Sequence, residues 1–539
     1  MTEINVAFAQ TNPVVGDVQH NLALILEAAE SVADTADILI TGELALSGYP
    51  MGDLSYRADV IDATLSALDQ LVAASTQEMF SSLYFVVGHI SFATDARPTA
   101  QSSLAIAHNS ASVIQNGTII GTYNKQILPN YDVFDDWRNF IPGNNELVFS
   151  VSGKKCAVAI CEDIWDANSS RPQKLNELGI DLLLVLNGSP YTRKKAAERQ
   201  VAARSFQRGF DLAYSNLCGA QDELVFDGGS FLLNSSGTTL FKAPFERGCF
   251  LALPNSQSSF VEDELSTLWM ALVEGLKQYC QKTGQHSIVL GLSGGIDSAV
   301  CAALACDAMG ASNVIGVALP SRYSSDHSLS DAAELAHNLG IQYRITPIDQ
   351  VHQAFEQTMD FSALAAENLQ ARIRAVLLMG ISNTDGALLL STGNKSEIAV
   401  GYSTMYGDAA GGFAPIKDVL KTDVWRLAKW FNSSRGSALI PVGSIEKPPS
   451  AELRPGQVDS DSLPDYELLD QILTLLIEHS ATIEEVVANG FQLKDVVKIE
   501  AMIRASEWKR SQGAIGTKTT AVSFGTGRRI PLTTKFRKL

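Results

Sequence analysis

Two groups of residues in this sequence could do chemistry. In the first group, Glu43 ("GELALSGYP") directly follows the strand-like run 37–42, Lys125 ("YNKQILPNYDVFDD") follows a strand-like stretch, and Cys161 ("VAICEDIW") ends another. Residues at strand ends can be brought together by one sheet. A nucleophilic thiol needs a base for its proton and positive charge nearby. Glu43 fits the base, and Lys125 fits the stabiliser of an oxyanion. Taken singly, each has a plainer reading: a solvated glutamate, a surface lysine, a core cysteine like Cys156. The second group is "GLSGGIDS", residues 291–298, between the apolar Ile288–Leu290 and a helix-spaced set, Ala299, Val300, Ala303 and Leu304. A glycine-rich strand-to-helix turn offers backbone N–H groups and a helix N-terminus to an anion. The lysine of G-x-x-x-x-G-K-[ST] is missing, and Ser293, Ser298 and Asp297 stand in its place. A carboxylate beside phosphate needs a cation between them, and magnesium favours that ligand mix. The competing reading is a tight turn in which Asp297 only caps the helix.

The elements that must position these groups are set by a chain of 539 residues, too long for one ordinary core. Hydrophobic content of 46% with 19% charged residues describes a globular protein. The formal net charge of −18 argues against nonspecific nucleic-acid binding. Seven cysteines without paired C-x-x-C spacing, mostly in apolar runs, argue against a disulfide framework or a zinc site. A strand-like segment opens at residue 4, and no apolar run reaches the roughly 18 residues of a membrane span. The expectation is a cytoplasmic protein with no membrane contact.

Residues 1–250 mix strand patterns (4–10, 37–42, 83–90, 102–108, 113–115, 118–123, 156–160, 181–187, 211–217, 229–241) with helical ones (20–35, 59–77, 192–209). Asn116-Gly117 predicts a hairpin turn. Adjacent strands without intervening helices predict an α/β sandwich here. The polar stretch "LPNSQSSF" (253–260) marks a domain boundary. Beyond it, strands 287–291, 313–318, 341–346 and 387–391 alternate with helices 297–309, 329–339 and 363–381, the rhythm of a parallel sheet. Ligands of such sheets lie at the carboxyl ends of the strands, where 291–298 falls. A Pro-containing loop at 446–457 precedes mostly helical segments to about residue 506.

The loop resembles that of ATP pyrophosphatases, which hold the departing pyrophosphate of ATP. With "VALPSRYSS", "ENLQARIR", "STGNKSEIAVGYSTMYGD" and "KDVLKTDVWRLA", residues 262–539 resemble the synthetase domain of NAD synthetases. That resemblance implies a Rossmann-like parallel sheet of the adenine nucleotide alpha hydrolase-like type over 259–539. It implies ATP contacts at Gly291, Leu292, Ser293, Gly294, Gly295, Ile296, Asp297, Ser298, Thr392 and Lys421. It also implies deamido-NAD contacts at Asn368, Arg372, Glu397, Lys509 and Lys518, with Mg2+ held by Asp297 and Glu397.

Glu43, Lys125 and Cys161, with their flanks and in this order, resemble the triad of the nitrilase (carbon–nitrogen hydrolase) superfamily. This implies a four-layer αββα sandwich over 1–258, with Tyr131, Ser189 and Lys195 as glutamine contacts. Glutamine-dependent NAD synthetases join these two domains. The resemblance implies small-molecule substrates (L-glutamine, ATP, deamido-NAD), an adenylated intermediate, an enclosed apolar passage for ammonia and a homo-oligomer. The alternatives are a different acceptor for the same chemistry, or a noncatalytic nucleotide sensor; the sensor predicts a broken motif, and none is broken.

Overall fold

The computed structural model describes residues 4–93, 106–252, 263–450, 452–454 and 456–534. It divides into two compact units, Met1–Glu262 and Asp263–Leu539. The boundary expected at 258/259 and residues 102–105 of the strand expected at 102–108 lie outside the described residues.

The first unit is built on two six-stranded sheets. One runs, in spatial order, Gly248–Ala252, Val6–Gln10, Ile38–Thr41, Tyr84–Phe92, Ala107–Gln115, Thr118–Asn124. The other runs Thr239–Lys242, Phe231–Leu233, Asp211–Asn216, Leu182–Asn187, Lys154–Ile160, Val148–Val151. Side chains alternate across a strand, and that alternation sorts the core. Phe8, Ile40, Val86, Val158 and Leu184 meet between the sheets. Ala7, Ala9, Leu39 and Phe85 face outward, onto the helices Val18–Glu30 and Ala58–Ala74. Ala159, Leu183 and Leu212 likewise face Leu175, Ala203 and Phe206 of helices Arg171–Glu177 and Lys195–Phe206. Burial on both faces explains why these strands read as continuous apolar runs, and the result is the expected αββα sandwich.

Asn116 (φ 45°) and Gly117 (φ 78°) form the expected hairpin turn. The run 229–241 is not one strand. Asn234 Oδ1 accepts from the Ser236 and Thr238 amides and turns the chain, leaving Phe231–Leu233 and Thr239–Lys242 as an antiparallel pair. Four short strands gave no legible pattern in the sequence: Val148–Val151, Cys218–Gln221, Leu224–Asp227 and Gly248–Ala252.

The second unit carries a parallel sheet ordered Gln342–Ile345, Val314–Ala318, Ile288–Gly291, Leu388–Leu389. The first strand in the chain is third in the sheet, so the connections reverse direction beside it, and the loop after Gly291 opens at that switch point. Helix Ile296–Met309 is buried nearly all round, which its Ala- and Cys-rich sequence permits. A helical layer follows, in which Leu469, Ile472, Val496 and Ile499 pack with Ala399 and Val400. Among the described residues, no helix is long and apolar enough to cross a membrane.

Candidate active sites

Glu43, Lys125 and Cys161 converge in the first unit. Glu43 leaves strand Ile38–Thr41, and its amide donates to the Asn187 carbonyl at 3.2 Å. Gly88 crosses so close to this turn that a Cβ there would lie 2.5 Å from the Gly42 carbonyl. Lys125 follows strand Thr118–Asn124 and Cys161 follows Lys154–Ile160. Lys125 Nζ donates to Glu43 Oε1 and to Asp136 Oδ2, both at 2.6 Å, with all three side chains buried. Asn109 Nδ2 (2.7 Å) and the Gly188 amide (3.0 Å) also donate to the Glu43 carboxylate. Asp163 binds the turn of Cys161 to that of Lys125: it accepts from the amides of Ile160, Gln126 and Ile127 at 2.9–3.0 Å and from the Tyr123 hydroxyl. Cys161 itself has φ 43°, left-handed and unusual for a residue with a Cβ.

The electrostatics suit a proton relay. Burial works to discharge Lys125, but Asp136 and Glu43 outweigh it and hold its pKa well above the ordinary lysine value. Burial, and after it Glu43, pushes the Cys161 thiol well up, while Lys125 opposes them. Burial also raises Asp136. The thiol is therefore protonated at rest, beside buried carboxylates that share one ammonium.

The residues expected to hold an amino-acid ligand surround this cluster in different ways. Tyr131 is half exposed, and its hydroxyl donates to Glu162 Oε2 at 2.9 Å. Lys195 Nζ lies over the Trp165 ring, 4.2 Å from its centroid. Ser189 is buried, and its hydroxyl accepts from Arg199 Nε at 3.0 Å, while Arg199 pairs with Asp227 at 2.7 Å. Asp136, Asn109, Glu162, Asp163 and Arg199 were not singled out in the sequence. Two of them had a signal there: Asp163 stands two residues after the cysteine in the quoted "VAICEDIW", and Asp136 closes the quoted "YDVFDD".

In the second unit a cavity of about 540 Å³ opens at the carboxyl ends of the strands. Gly291, Leu292, Ser293, Gly295, Ile296, Asp297, Ser298, Asn368, Thr392, Glu397, Lys421 and Lys509 all line it. Gly294 supports the loop from behind: with φ 75°, it passes so close to helix Asp326–Leu339 that a Cβ would meet the Ser328 carbonyl at 2.3 Å. Asp297 does not cap its helix, because the capping position, Gly295, has no side-chain bond. Its carboxylate instead accepts from Asn394 Nδ2 (2.9 Å) and from Lys421 Nζ, which also donates to Glu397 at 3.1 Å. Burial, opposed by Lys421, pushes the Glu397 carboxyl up to about 7. Despite burial, Asp297 and Glu397 raise Lys421 above the ordinary lysine value.

Two of the expected contacts do not line the cavity. Lys518 is not among the cavity residues: it is 2% exposed, and its ammonium donates to the Thr520 and Ala521 carbonyls at 2.9 Å. Arg372 sits on the exposed face of helix Ala363–Asp385, its Nε on the Met405 carbonyl at 3.2 Å. Arg374, two residues on and therefore on another face, lines the cavity instead.

The carbon–nitrogen hydrolase family model matches residues 5–252 and the NAD synthase family model matches residues 268–513. The chain is similar to the glutamine-dependent NAD(+) synthetase of Thermotoga maritima, 39% identical with all of both chains covered. It is 40% identical to that of Acinetobacter baylyi, over 100% of this chain and 99% of that one. The chain belongs to the glutamine-dependent NAD(+) synthetase family. Membership makes it an enzyme of the carbon–nitrogen ligase class. Among solved structures it resembles the glutamine-dependent NAD+ synthetase of Acinetobacter baumannii in complex with ADP, with TM-score 0.76, 36% identity and 98% of each chain covered. A second, from Cytophaga hutchinsonii, shares the fold at TM-score 0.83 and 21% identity, over 99% of this chain and 98% of that one.

Proposed function

We propose that this family member makes NAD+ by amidating deamido-NAD+ at the expense of ATP, with ammonia drawn from glutamine. The observation that carries the reading is the buried 2.6 Å contact of Lys125 with Glu43, both from one sheet, acting on Cys161 from the other sheet.

In the first unit, Cys161 Sγ attacks the side-chain carbonyl carbon of glutamine as Glu43 takes the thiol proton. Lys125 stabilises the oxyanion. The C–N bond breaks, Glu43 returns the proton to the departing nitrogen, and ammonia leaves behind a glutamyl thioester. Water, deprotonated by Glu43, releases glutamate and restores the thiol. Lys195 and Glu162 offer opposite charges for the carboxylate and ammonium of the amino acid, with Tyr131 and Ser189 beside them.

In the second unit the nicotinate carboxylate of deamido-NAD attacks the α-phosphorus of ATP, pyrophosphate leaves from the loop 291–298, and ammonia displaces AMP from the acyl carbon. Thr392 and Lys421 serve ATP; Asn368, Glu397 and Lys509 serve deamido-NAD. Asp297 and Glu397 fit a magnesium ion, since their oxygens already converge on one cation, the Lys421 ammonium, and magnesium takes one or two carboxylates with phosphate oxygens. Bound there with ATP, it would neutralise the charge of the leaving pyrophosphate. Arg372 lies outside this cavity and keeps a dinucleotide role only through its exposed helix face. That face supports a homo-oligomer: Val376 on it, one turn on from Arg372, is 70% exposed. The reading also includes a cytoplasmic location and an enclosed passage for ammonia.

Cys161→Ala tests the division of labour. It is expected to lose NAD+ formation from glutamine and to keep formation from high ammonium, both followed as AMP and NAD+ release. Failure of ammonium to rescue the folded variant removes the two-site reading.

A further inference from the structure

Four cationic side chains line the cavity of the second unit: Arg374, Lys421, Lys447 and Lys509. Lys421 is committed to Asp297 and Glu397. Lys447 donates to Ser328 Oγ at 2.6 Å and has Asp331 at 3.9 Å. The hydrogen bonds of the other two go to main-chain carbonyls, Lys509 to Gly401 and Ser403 and Arg374 Nε to Leu319 at 3.0 Å. Among the described residues, neither Arg374 nor Lys509 forms an ion pair. Glu452, Asp408 and Asp349 act on Arg374 only from beyond ion-pair distance, and a partly buried guanidinium with no carboxylate in contact is costly unless a ligand supplies one.

The place of Arg374 says which ligand group that is. Leu319 directly follows strand Val314–Ala318, which runs parallel to Ile288–Gly291, with Val317 opposite Gly291. The Leu292 amide donates to the Val317 carbonyl at 2.8 Å, so Leu319 lies at the same carboxyl edge as the phosphate loop. On the other side of that loop, beyond strand Leu388–Leu389, the wall is the charged pair Glu397 and Lys421, suited to pyrophosphate and a metal ion. On the Arg374 side the wall is Ala318, Leu319 and Pro320, apolar and suited to a purine. A nucleotide whose terminal phosphates rest on the loop and whose base rests on the apolar wall places its first phosphate between them.

We propose that Arg374 binds the α-phosphate of ATP and keeps hold of it as AMP forms, an assignment that rests on the ATP-dependent reading above. One edge of the guanidinium is pinned by Leu319, and the remaining N–H groups form a planar fork that matches two phosphate oxygens. The α-phosphorus is where the nicotinate attacks and pyrophosphate departs. A cation fixed to that group orients the attacked centre and offsets the charge that stays with AMP.

Equilibrium binding of AMP, adenosine and magnesium pyrophosphate to the wild-type chain, Arg374→Gln and Arg374→Lys tests this. Arg374→Gln is expected to weaken AMP by about tenfold or more while leaving adenosine and pyrophosphate as tightly held as in the wild type. Arg374→Lys is expected to keep part of the AMP affinity. Unchanged AMP binding in Arg374→Gln, or equal weakening of AMP and adenosine, overturns the assignment. If Arg374→Gln also loses pyrophosphate, Arg374→Lys decides: normal pyrophosphate with intermediate AMP affinity supports the assignment, and loss of both overturns it. A wild-type chain that forms no NAD+ from ATP, deamido-NAD+ and ammonium overturns the ATP-dependent reading instead. One that forms it while Arg374→Gln holds AMP normally removes Arg374 alone.

Discussion

A cysteine raised by burial cannot rely on a standing population of thiolate. Cys161 is such a residue, pushed up by burial and then by Glu43 against the pull of Lys125. Thiolate is the reactive form, so below a raised pKa its fraction grows tenfold per pH unit. Alkylation by iodoacetamide without glutamine is therefore expected to go on accelerating between about pH 7 and pH 9; a plateau by about pH 8 would contradict the resting thiol. The same scale shows what sequence could give. Glu43 and Cys161 were legible because each comes at the end of an apolar strand and Lys125 because it follows a strand, but that two sheets rather than one supply them was not. Asp136 was not, because its value lies in a 2.6 Å contact with Lys125 that no local pattern records. Nor could residue type alone tell that Lys509 lines the cavity while Lys518 turns its ammonium inward.

At the scale of elements, periodicity located most buried strands and six of the longer helices, since burial of one face or both writes itself into spacing, but it passed over the helices Glu264–Thr283 and Lys421–Arg435. It failed for strands of three to five residues at sheet edges and hairpins, such as Val148–Val151, where few side chains are committed to a core. It also left open which face of Ala363–Asp385 looks into the cavity, and hence the exchange of Arg372 for Arg374. The phosphate loop makes an element-scale prediction. Gly294→Ala must both hold φ 75° and displace the Ser328 carbonyl, 2.3 Å from the new Cβ. Left-handed backbone alone costs about 1–2 kcal/mol, and a shift of the loop by about 1 Å is expected to lower ATP-driven synthesis about 10²-fold. Glutamine hydrolysis, measured as glutamate release, is expected to remain; its loss would show that the loop does not act within its own unit.

For the whole molecule, two compact units each hold one candidate site, Met1–Glu262 the thiol and Asp263–Leu539 the phosphate loop. The chemistry is joined only by ammonia. Asp297→Asn is expected to abolish NAD+ formation from either nitrogen source while still converting glutamine to glutamate, the mirror image of Cys161→Ala. Loss of both activities would instead tie the thiol's competence to the state of the phosphate loop. The order of the two units and the chemistry assigned to each were legible in the sequence, because each motif sits beside the strand that carries it. The join at 253–262 was readable only as polar composition.

The φ of 43° at Cys161 has a further consequence. Alanine ordinarily outranks glycine as an inert replacement, yet at this position alanine inherits the handedness penalty and glycine escapes it, a reversal worth on the order of 1 kcal/mol. The fold thus gives up some stability at its own nucleophile, tolerating an uncomfortable bend so that the sulfur is presented at the tip of a strand.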